Sequence, residues 1–338
     1  MAGPTVYPVP NVFCGWAREA TPGVPVPMTG TLGLEKPLEW NDKVTWLEDM
    51  SLRGVMTTGP FGVQPGVTLG ELTFPESPVY CDSFGVVLGN IMGDLVVTGG
   101  AAPYTNAFAL LNTAVGQPTT HTFEQYYGPT TTSGSRLFTA SVFSEVTIAW
   151  DVAKKWLTWS GKANSWASTA AASLPVDAQS TVKPIPSWQI AMGLGGTAVG
   201  APITTCQSGK ITIKREVSPE YGSATTQNPY AMVRGALTVS FSDLVFITTN
   251  EAIYSDMINN SQPQTQFVWN VGSGATQIAL QIDALLTAFQ VAKPNYGGKI
   301  VKWSTSGEFV ANTTNVGASG GQCPAKFTLT NAVNGAYV

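Results

Sequence analysis

Five stretches of this chain alternate apolar with small or polar residues at a period of two, and that pattern restricts the fold more than any other feature. Val142, Val146, Ile148 and Trp150 alternate with Phe143, Glu145, Thr147 and Ala149. Ile211 and Ile213 alternate with Thr212 and Lys214, and Leu237, Val239 and Phe241 with Thr238, Ser240 and Ser242. Phe267, Trp269 and Val271 alternate with Val268 and Asn270, and Ile278, Leu280 and Ile282 with Ala279, Gln281 and Asp283. Successive side chains of a strand point to opposite faces, so each run describes a half-buried antiparallel strand with one face in a core.

Two stretches carry the helical period instead. Asp82 to Met92 puts Phe84, Val87, Leu88 and Ile91 on one face, with Asp82 as the cap and Gly93 as the stop. Glu251 to Ile258, opened by Asn250, turns Ile253, Met257 and Ile258 inward. Tyr104 to Leu111 reads as a further short helical turn. Lys43 to Met56 reads as strand, turn, strand, and Thr57 to Pro78 as a loop with turns at Gly59-Pro60 and Pro65-Gly66. Residues 1–40 hold seven prolines from Pro4 to Pro37, too many for a helix or a central strand. They form either a free terminus or, given Val12, Phe13 and Trp16, an arm laid on a neighbouring domain or subunit. Gly193–Pro202 and Gly317–Gly321 read as a glycine-rich insertion and a mobile stretch.

Several local patterns occur twice and in the same order. Arg18-Glu19-Ala20-Thr21-Pro22-Gly23 returns as Arg215-Glu216-Val217-Ser218-Pro219-Glu220-Tyr221-Gly222, and Leu52-Arg53-Gly54 as Val233-Arg234-Gly235. Thr122-Phe123 returns as Gln266-Phe267, and the segment around Trp159 as the segment around Trp303. The offsets fall from 197 through 181 to 144 and then hold, as they do if a first copy carries insertions in its early part. The expectation is a mainly β chain of two tandem domains, residues 1–165 and 187–338, each with a flanking helix. A Pro- and Ala-rich linker, 166–186, joins them.

Composition narrows the function. Only 11% of the 338 residues are charged, against 43% hydrophobic, so the surface is neutral and suited to burial against other copies. A net charge of −4 argues against a protein that grips phosphates. Cys14, Cys81, Cys206 and Cys323 are scattered without a Cys-x-x-Cys, which disfavours a zinc site and suits packed thiols, two long-range disulfides being the alternative. Neither a secretory signal nor a membrane-spanning run is legible.

No catalytic constellation emerges. His121 is the one histidine and sits at a strand start between threonines, where a structural role is expected. Gly193-Leu194-Gly195-Gly196 matches a phosphate loop only in its glycines. Glu145 and Asp151 share a strand, but nothing in their spacing demands a carboxylate pair. Trp150, Trp156, Trp159, Trp269 and Trp303 fall inside strand patterns and suit core packing better than sugar stacking. No enzyme and no cofactor are expected.

The early Arg18–Gly23 segment, Leu52-Arg53-Gly54, the helix near Asp82 and the run from Pro229 to Asp243 come in an order that resembles the major tail tube proteins of long-tailed, non-contractile bacteriophages. The resemblance covers nearly the whole chain and rests on order rather than on one motif. It implies tail-tube-like β-sandwich or barrel domains that assemble as six-domain rings, stacked into a tube through which duplex DNA passes. It also implies a virion location, assembly in the host bacterial cytoplasm, and tape-measure and tail terminator or tip proteins as partners. A duplicated chain would form trimers that imitate a hexamer. The polar strand faces, Glu145, Thr147, Ser240, Ser242, Gln277, Gln281 and Asp283, are the expected lumen lining. A secreted carbohydrate-binding or surface-layer β protein is the alternative from another class.

Overall fold

The computed structural model describes residues 12–51, 62–113, 117, 119–127, 135–153, 156–171, 179–223, 226–248, 250–296 and 299–338. The first eleven residues of the proline-rich arm, Leu52-Arg53-Gly54, and the turn at Gly59-Pro60 lie outside them. The first half runs β1 (Phe13–Arg18), β2 (Gly30–Leu32), β3 (Glu39–Asp49), β4 (Gly62–Pro78), α1 (Phe84–Met92), β5 (Gly93–Thr98), β6 (Tyr104–Leu110), β7 (His121–Tyr126), β8 (Ser135–Asp151), β9 (Thr158–Ser165) and β10 (Thr169–Ala170). The second runs β11 (Ile190–Leu194), β12 (Pro202–Ile203), β13 (Cys206–Glu220), β14 (Ala231–Phe246), α2 (Glu251–Asn259), β15 (Thr265–Val271), β16 (Ile278–Ala284), β17 (Thr287–Asn295), β18 (Lys302–Phe309) and β19 (Lys326–Asn331). The protein is mainly β, as the alternation demands.

Eight strands form one continuous antiparallel layer in the order β3-β4-β9-β8-β13-β14-β18-β17, drawing equally on both halves. The alternating runs explain its two faces. Val146, Ile148, Ile211, Ile213, Val239 and Phe241 are buried on one side, while Glu145, Thr147, Thr212 and Ser240 look to the other. Two shorter layers cover the apolar side. In the first half this is β2-β1-β7 together with the start of β8, where Phe74 of the long layer meets Phe123 of β7 at 5.1 Å between ring centroids. In the second half it is β12-β11-β15-β16-β19, extended by β6 and β5 from the first half. There Trp150 meets Phe267 and Trp269, each at 5.3 Å. The arrangement is a β-sandwich, not a closed barrel.

β8 serves two layers because it bends. Its first part pairs with β7 and its second with β9, and at the irregularity that ends the β7 ladder Ala140 adopts a left-handed conformation with φ 52°. In the second half a break after Ala284 separates β16 from β17, which belong to different layers.

Four local expectations fail for identifiable reasons. Residues 62–78 are not a loop but a 17-residue strand; Pro65 and Pro75 sit at bulges, where an edge or irregular ladder tolerates a missing N–H. Phe13–Arg18 is a strand flanked on both sides by β2 and β7, because the prolines stop at Pro10 and resume at Pro22. Tyr104–Leu110 is a strand paired with both β5 and β19, a short apolar run whose period alone does not separate helix from strand. Gly317–Gly321 is tied down: the Ser319 N–H and hydroxyl both donate to Asp94, at 2.7 and 2.6 Å.

The helices stand where expected, with different details. Ser83 rather than Asp82 occupies the cap position of α1, and neither α1 nor α2 has a side-chain capping bond. Gly93 ends α1 in the left-handed conformation, as a C-terminal glycine should. On α2 Ile253 is buried, but Ile258 is 63% exposed rather than turned inward.

Candidate lumen face and sheet edges

The polar face of the eight-stranded layer is lined mostly by Ser, Thr and paired charges. Lys214 bridges to Glu145 at 3.6 Å, Lys210 to Asp243 at 2.9 Å, and Lys43 to Glu71. The pairing follows from strand geometry: residues opposite one another on adjacent antiparallel strands lie close enough for long side chains to meet, and Lys214 stands opposite Glu145. A recess of about 430 Å³ opens on this face between β8, β9 and β13, lined by Thr147, Ala149, Thr158, Ser160, Lys210 and Asp243 among others. The expected lining is of Ser, Thr and Gln with acidic residues; lysines accompany them on this face, and Lys43, Lys210 and Lys214 are each paired with a carboxylate.

Four of the seven residues expected at a lumen share this face: Glu145 and Thr147 on β8, Ser240 and Ser242 on β14. The other three lie elsewhere. Gln281 and Asp283 are on β16, whose Leu280 and Ile282 point into the core, so their side chains face away from the long layer. They bond to each other at 2.7 Å, and Gln277 just ahead of them bonds to Asn270 at 3.0 Å.

Within the chain the halves join at two seams. β8 pairs with β13 from Glu145–Lys214 to Asp151–Ser208, and the Thr147 and Thr212 hydroxyls meet across it at 3.2 Å. Gly209 stands opposite Trp150 and must be glycine, since a Cβ there would lie 2.5 Å from the indole. β6 pairs with β19 at the second seam. Arg215 crosses between the halves as well: its Nη1 donates to the carbonyls of Ile91 and Met92 at the C-terminus of α1, at 2.8 and 3.5 Å. A cation there complements the helix dipole and satisfies carbonyls that the helix leaves unpaired. Burial lowers the Arg215 pKa to about 10, and that of Arg234, which donates to Thr119, to about 9.

Among the described residues, the layer ends in two strands that pair on one side only. β3 exposes Trp40, Trp46 and Leu47, the last two at 58% each; β17 and the residue after it expose Val291 at 38% and Tyr296 at 74%. Unpaired edges with exposed apolar side chains are association surfaces that a monomeric protein ordinarily blunts.

The family model described as phage tail tube protein matches residues 11–321. The chain belongs to that family. No curated protein matches it. Membership makes this tail tube protein a structural component of a bacteriophage tail, one that associates with itself into a tube and works beside other tail components. The long layer and its open edges are the parts of the fold suited to that task. No helix among the described residues is long and apolar enough to cross a membrane.

The histidine and the cysteines are internal. His121 is buried; Asn90 donates to its Nδ1 at 2.9 Å, and its Nε2–H donates to the Tyr337 carbonyl at 3.2 Å. Burial pushes its pKa down to about 3, so the ring is neutral in the tail tube protein at ordinary pH. Among the described residues no cluster of His, Cys, Asp and Glu suits a metal. The four cysteines are free and buried, with thiol pKa values raised by desolvation.

Sequence reading missed three buried polar anchors. Glu19 accepts from the Gly23 and Ala140 amides and the Thr120 and Thr122 hydroxyls at 2.5–2.9 Å. Asn90 donates to Ser141 and accepts from Phe143, joining α1 to β8. Arg215 is the third. Two of them left a signal: Arg215 continues the buried parity of Ile211 and Ile213, and Asn90 interrupts an apolar helix.

Proposed function

We propose that the chain consists of two tandem copies of one tube domain, residues 1–165 and 187–338, joined through 166–186, and that three chains close a pseudo-hexameric ring. The rings stack into the tail tube of a siphophage, and the genome leaves through the lumen. The observation that carries this reading is the partner-for-partner agreement of the strands in the two halves. β2-β1-β7 is matched by β12-β11-β15. The long hairpin β3–β4 is matched by β13–β14, and α1 by α2. β8 is matched by β16 and β17 in succession, β9 by β18, and β10 by β19.

The agreement extends to irregularities. The β8–β9 ladder has a bulge between Phe143 and Glu145, and the β17–β18 ladder has one between Phe289 and Val291. The hairpins bulge between Val44 and Trp46 and between Arg215 and Val217. Bulges are specific features of a strand pair, and their coincidence supports descent of both halves from one domain. On this correspondence Phe123 and Trp159 match Phe267 and Trp303, as the sequence echoes suggest. Arg215 matches Val44 rather than Arg18, and Arg234 matches Pro65 rather than Arg53, so the first two echoes are accidental. The first copy's insertion is β5–β6, which accounts for the fall of the offset to 144.

Six domains per ring require three such chains, because six chains would supply twelve domains and enlarge the lumen far beyond a duplex. The polar face of the long layer lines that lumen, with Glu145, Thr147, Ser240 and Ser242 upon it; Gln277, Gln281 and Asp283 belong to the outer side of the wall. DNA presents about one charge per ~1.7 Å of axis, and a lining rich in Ser and Thr, with Lys43, Lys210 and Lys214 each held by a carboxylate, gives phosphate little to grip. The role is structural, without a catalytic step. Assembly takes place in the bacterial cytoplasm, with tape-measure, terminator and tip proteins as neighbours in the tail. Electron microscopy of the purified protein tests the reading: rings or tubes support it, and a preparation that stays monomeric under all assembly conditions contradicts it.

A further inference from the structure

The two halves of one chain are already joined edge to edge through β8 and β13, and the corresponding edges at the ends of the layer, β3 and β17, have no further strand partner among the described residues. We propose that β17 of one chain pairs with β3 of the next in the register of the internal seam, so that Asn41 stands opposite Lys293 of a second copy. This inference rests on the tandem reading and deepens it by fixing which residues meet.

The register follows from rungs that run across each half. In the first, Phe143, Ala163, Leu72 and Trp40 are successive partners on β8, β9, β4 and β3. In the second, Phe289, Gly307, Phe241 and Ile211 are successive partners on β17, β18, β14 and β13. Trp40 is therefore equivalent to Ile211. Glu39–Lys43 matches Lys210–Lys214, and Val291–Asn295 matches Glu145–Ala149 once the shared bulge is passed. At the internal seam Lys210, Thr212 and Lys214 face Ala149, Thr147 and Glu145. Transposed, Glu39 faces Asn295, Asn41 faces Lys293, and Lys43 faces Val291 of the neighbour. Strand direction agrees: with eight strands alternating in sense, β3 and β17 run oppositely, so copies set side by side join antiparallel.

Side chains at both edges fit this seam. Glu39 and Lys293 are exposed on the same polar face, and neither makes an ion pair among the described residues. In the proposed register they are diagonal neighbours, within reach of long side chains. α2 adds a second contact. All nine residues of α1 are buried, beneath cover that includes Arg215 of the β13–β14 hairpin. α2 buries only Ile253 and exposes Tyr254 and Ile258. The neighbour's β3–β4 hairpin brings Val44 and the exposed Trp46 to the place that Arg215 and Val217 hold over α1. The intermolecular seam is the weaker one, because nothing in the second half matches β5–β6 and Pro294 offers no N–H.

Cysteine pairs test the register, since directly opposed residues on antiparallel strands have Cβ atoms about 4.5–5.5 Å apart. A chain carrying Asn41→Cys and Lys293→Cys, assembled and then oxidised, should give disulfide-linked species of two and three chains and none larger. Asn41→Cys with Ala292→Cys, which point to opposite faces, should give almost none. The wild-type assembly provides a second readout: carbodiimide should join Glu39 to Lys293 between chains, as identified by mass spectrometry of an isotopically mixed sample. Rings that form but show neither link, or that link in another register, overturn the seam and leave the tube reading standing. Wild-type protein that forms no rings overturns the tube reading, and the seam with it.

Discussion

Glu19 holds the bend of β8. Ala140 adopts a left-handed backbone conformation that costs a non-glycine residue roughly 1–2 kcal/mol, and its amide donates to the Glu19 carboxylate at 2.9 Å. Removing the carboxylate strands four donors. Glu19→Ala should therefore destabilise the unassembled chain by about 3 kcal/mol or more, with Glu19→Gln losing less; urea denaturation measures both. A loss below about 1 kcal/mol for the alanine variant would show that the bend is held by other contacts. His121 supplies a pH dependence. Its folded pKa, about 3, lies below the usual 6.5, so between those values the unfolded chain binds more protons than the folded one. Its contribution is complete above about pH 6.5 and is lost as the pH falls towards 3, by at most about 1.4 kcal/mol per pH unit. His121→Gln should be less stable at neutral pH yet lose this part of the acid sensitivity. An unchanged slope between about pH 6.5 and about pH 4 would assign the sensitivity to other groups.

At the level of elements, the strands with clean alternation were legible because one face is apolar and the other is not; Val146–Trp150, Ile211–Ile213 and Phe267–Trp269 sit as their parity requires. β4 was not legible. Its prolines signal a loop locally, and only pairing with β3 and β9 makes it a strand. β6 was hidden for a related reason, since its partner β19 lies over two hundred residues away in sequence. The lumen candidates illustrate the limit of period two. It groups Gln281 with Asp283 and Ser240 with Ser242, but the layer that each strand joins depends on long-range pairing. α2 carries the next prediction. Tyr254→Ser with Ile258→Ser, on side chains already exposed, should leave the stability of the unassembled chain within about 0.5 kcal/mol while slowing ring formation. Unimpaired assembly would remove α2 from the contact.

For the molecule as a whole, the ordered echoes suggest a duplication, and under the proposed tandem reading the pairing of strands keeps the echoes at Phe123 and Trp159 and discards those at Arg18 and Arg53. The two kinds of interface should differ in strength. Within a chain the halves share the β8–β13 and β6–β19 seams and a covalent connection that raises their effective concentration. Between chains the proposed contacts are the edges of β3 and β17 and the face of α2, without a covalent connection, so closure of the ring should control assembly. The lining can be probed separately: Thr147→Lys with Ser240→Lys should spare tube assembly and slow DNA ejection, and ejection at the normal rate would count against this face as the lumen wall. The most direct measurement is a cryo-electron microscopy reconstruction of the assembled tube. The expected map has three chains per ring, each giving eight strands to a closed wall of twenty-four, with residues 1–165 and 187–338 alternating around it. Six chains per ring, with residues 187–338 projecting outward from the wall, would contradict it.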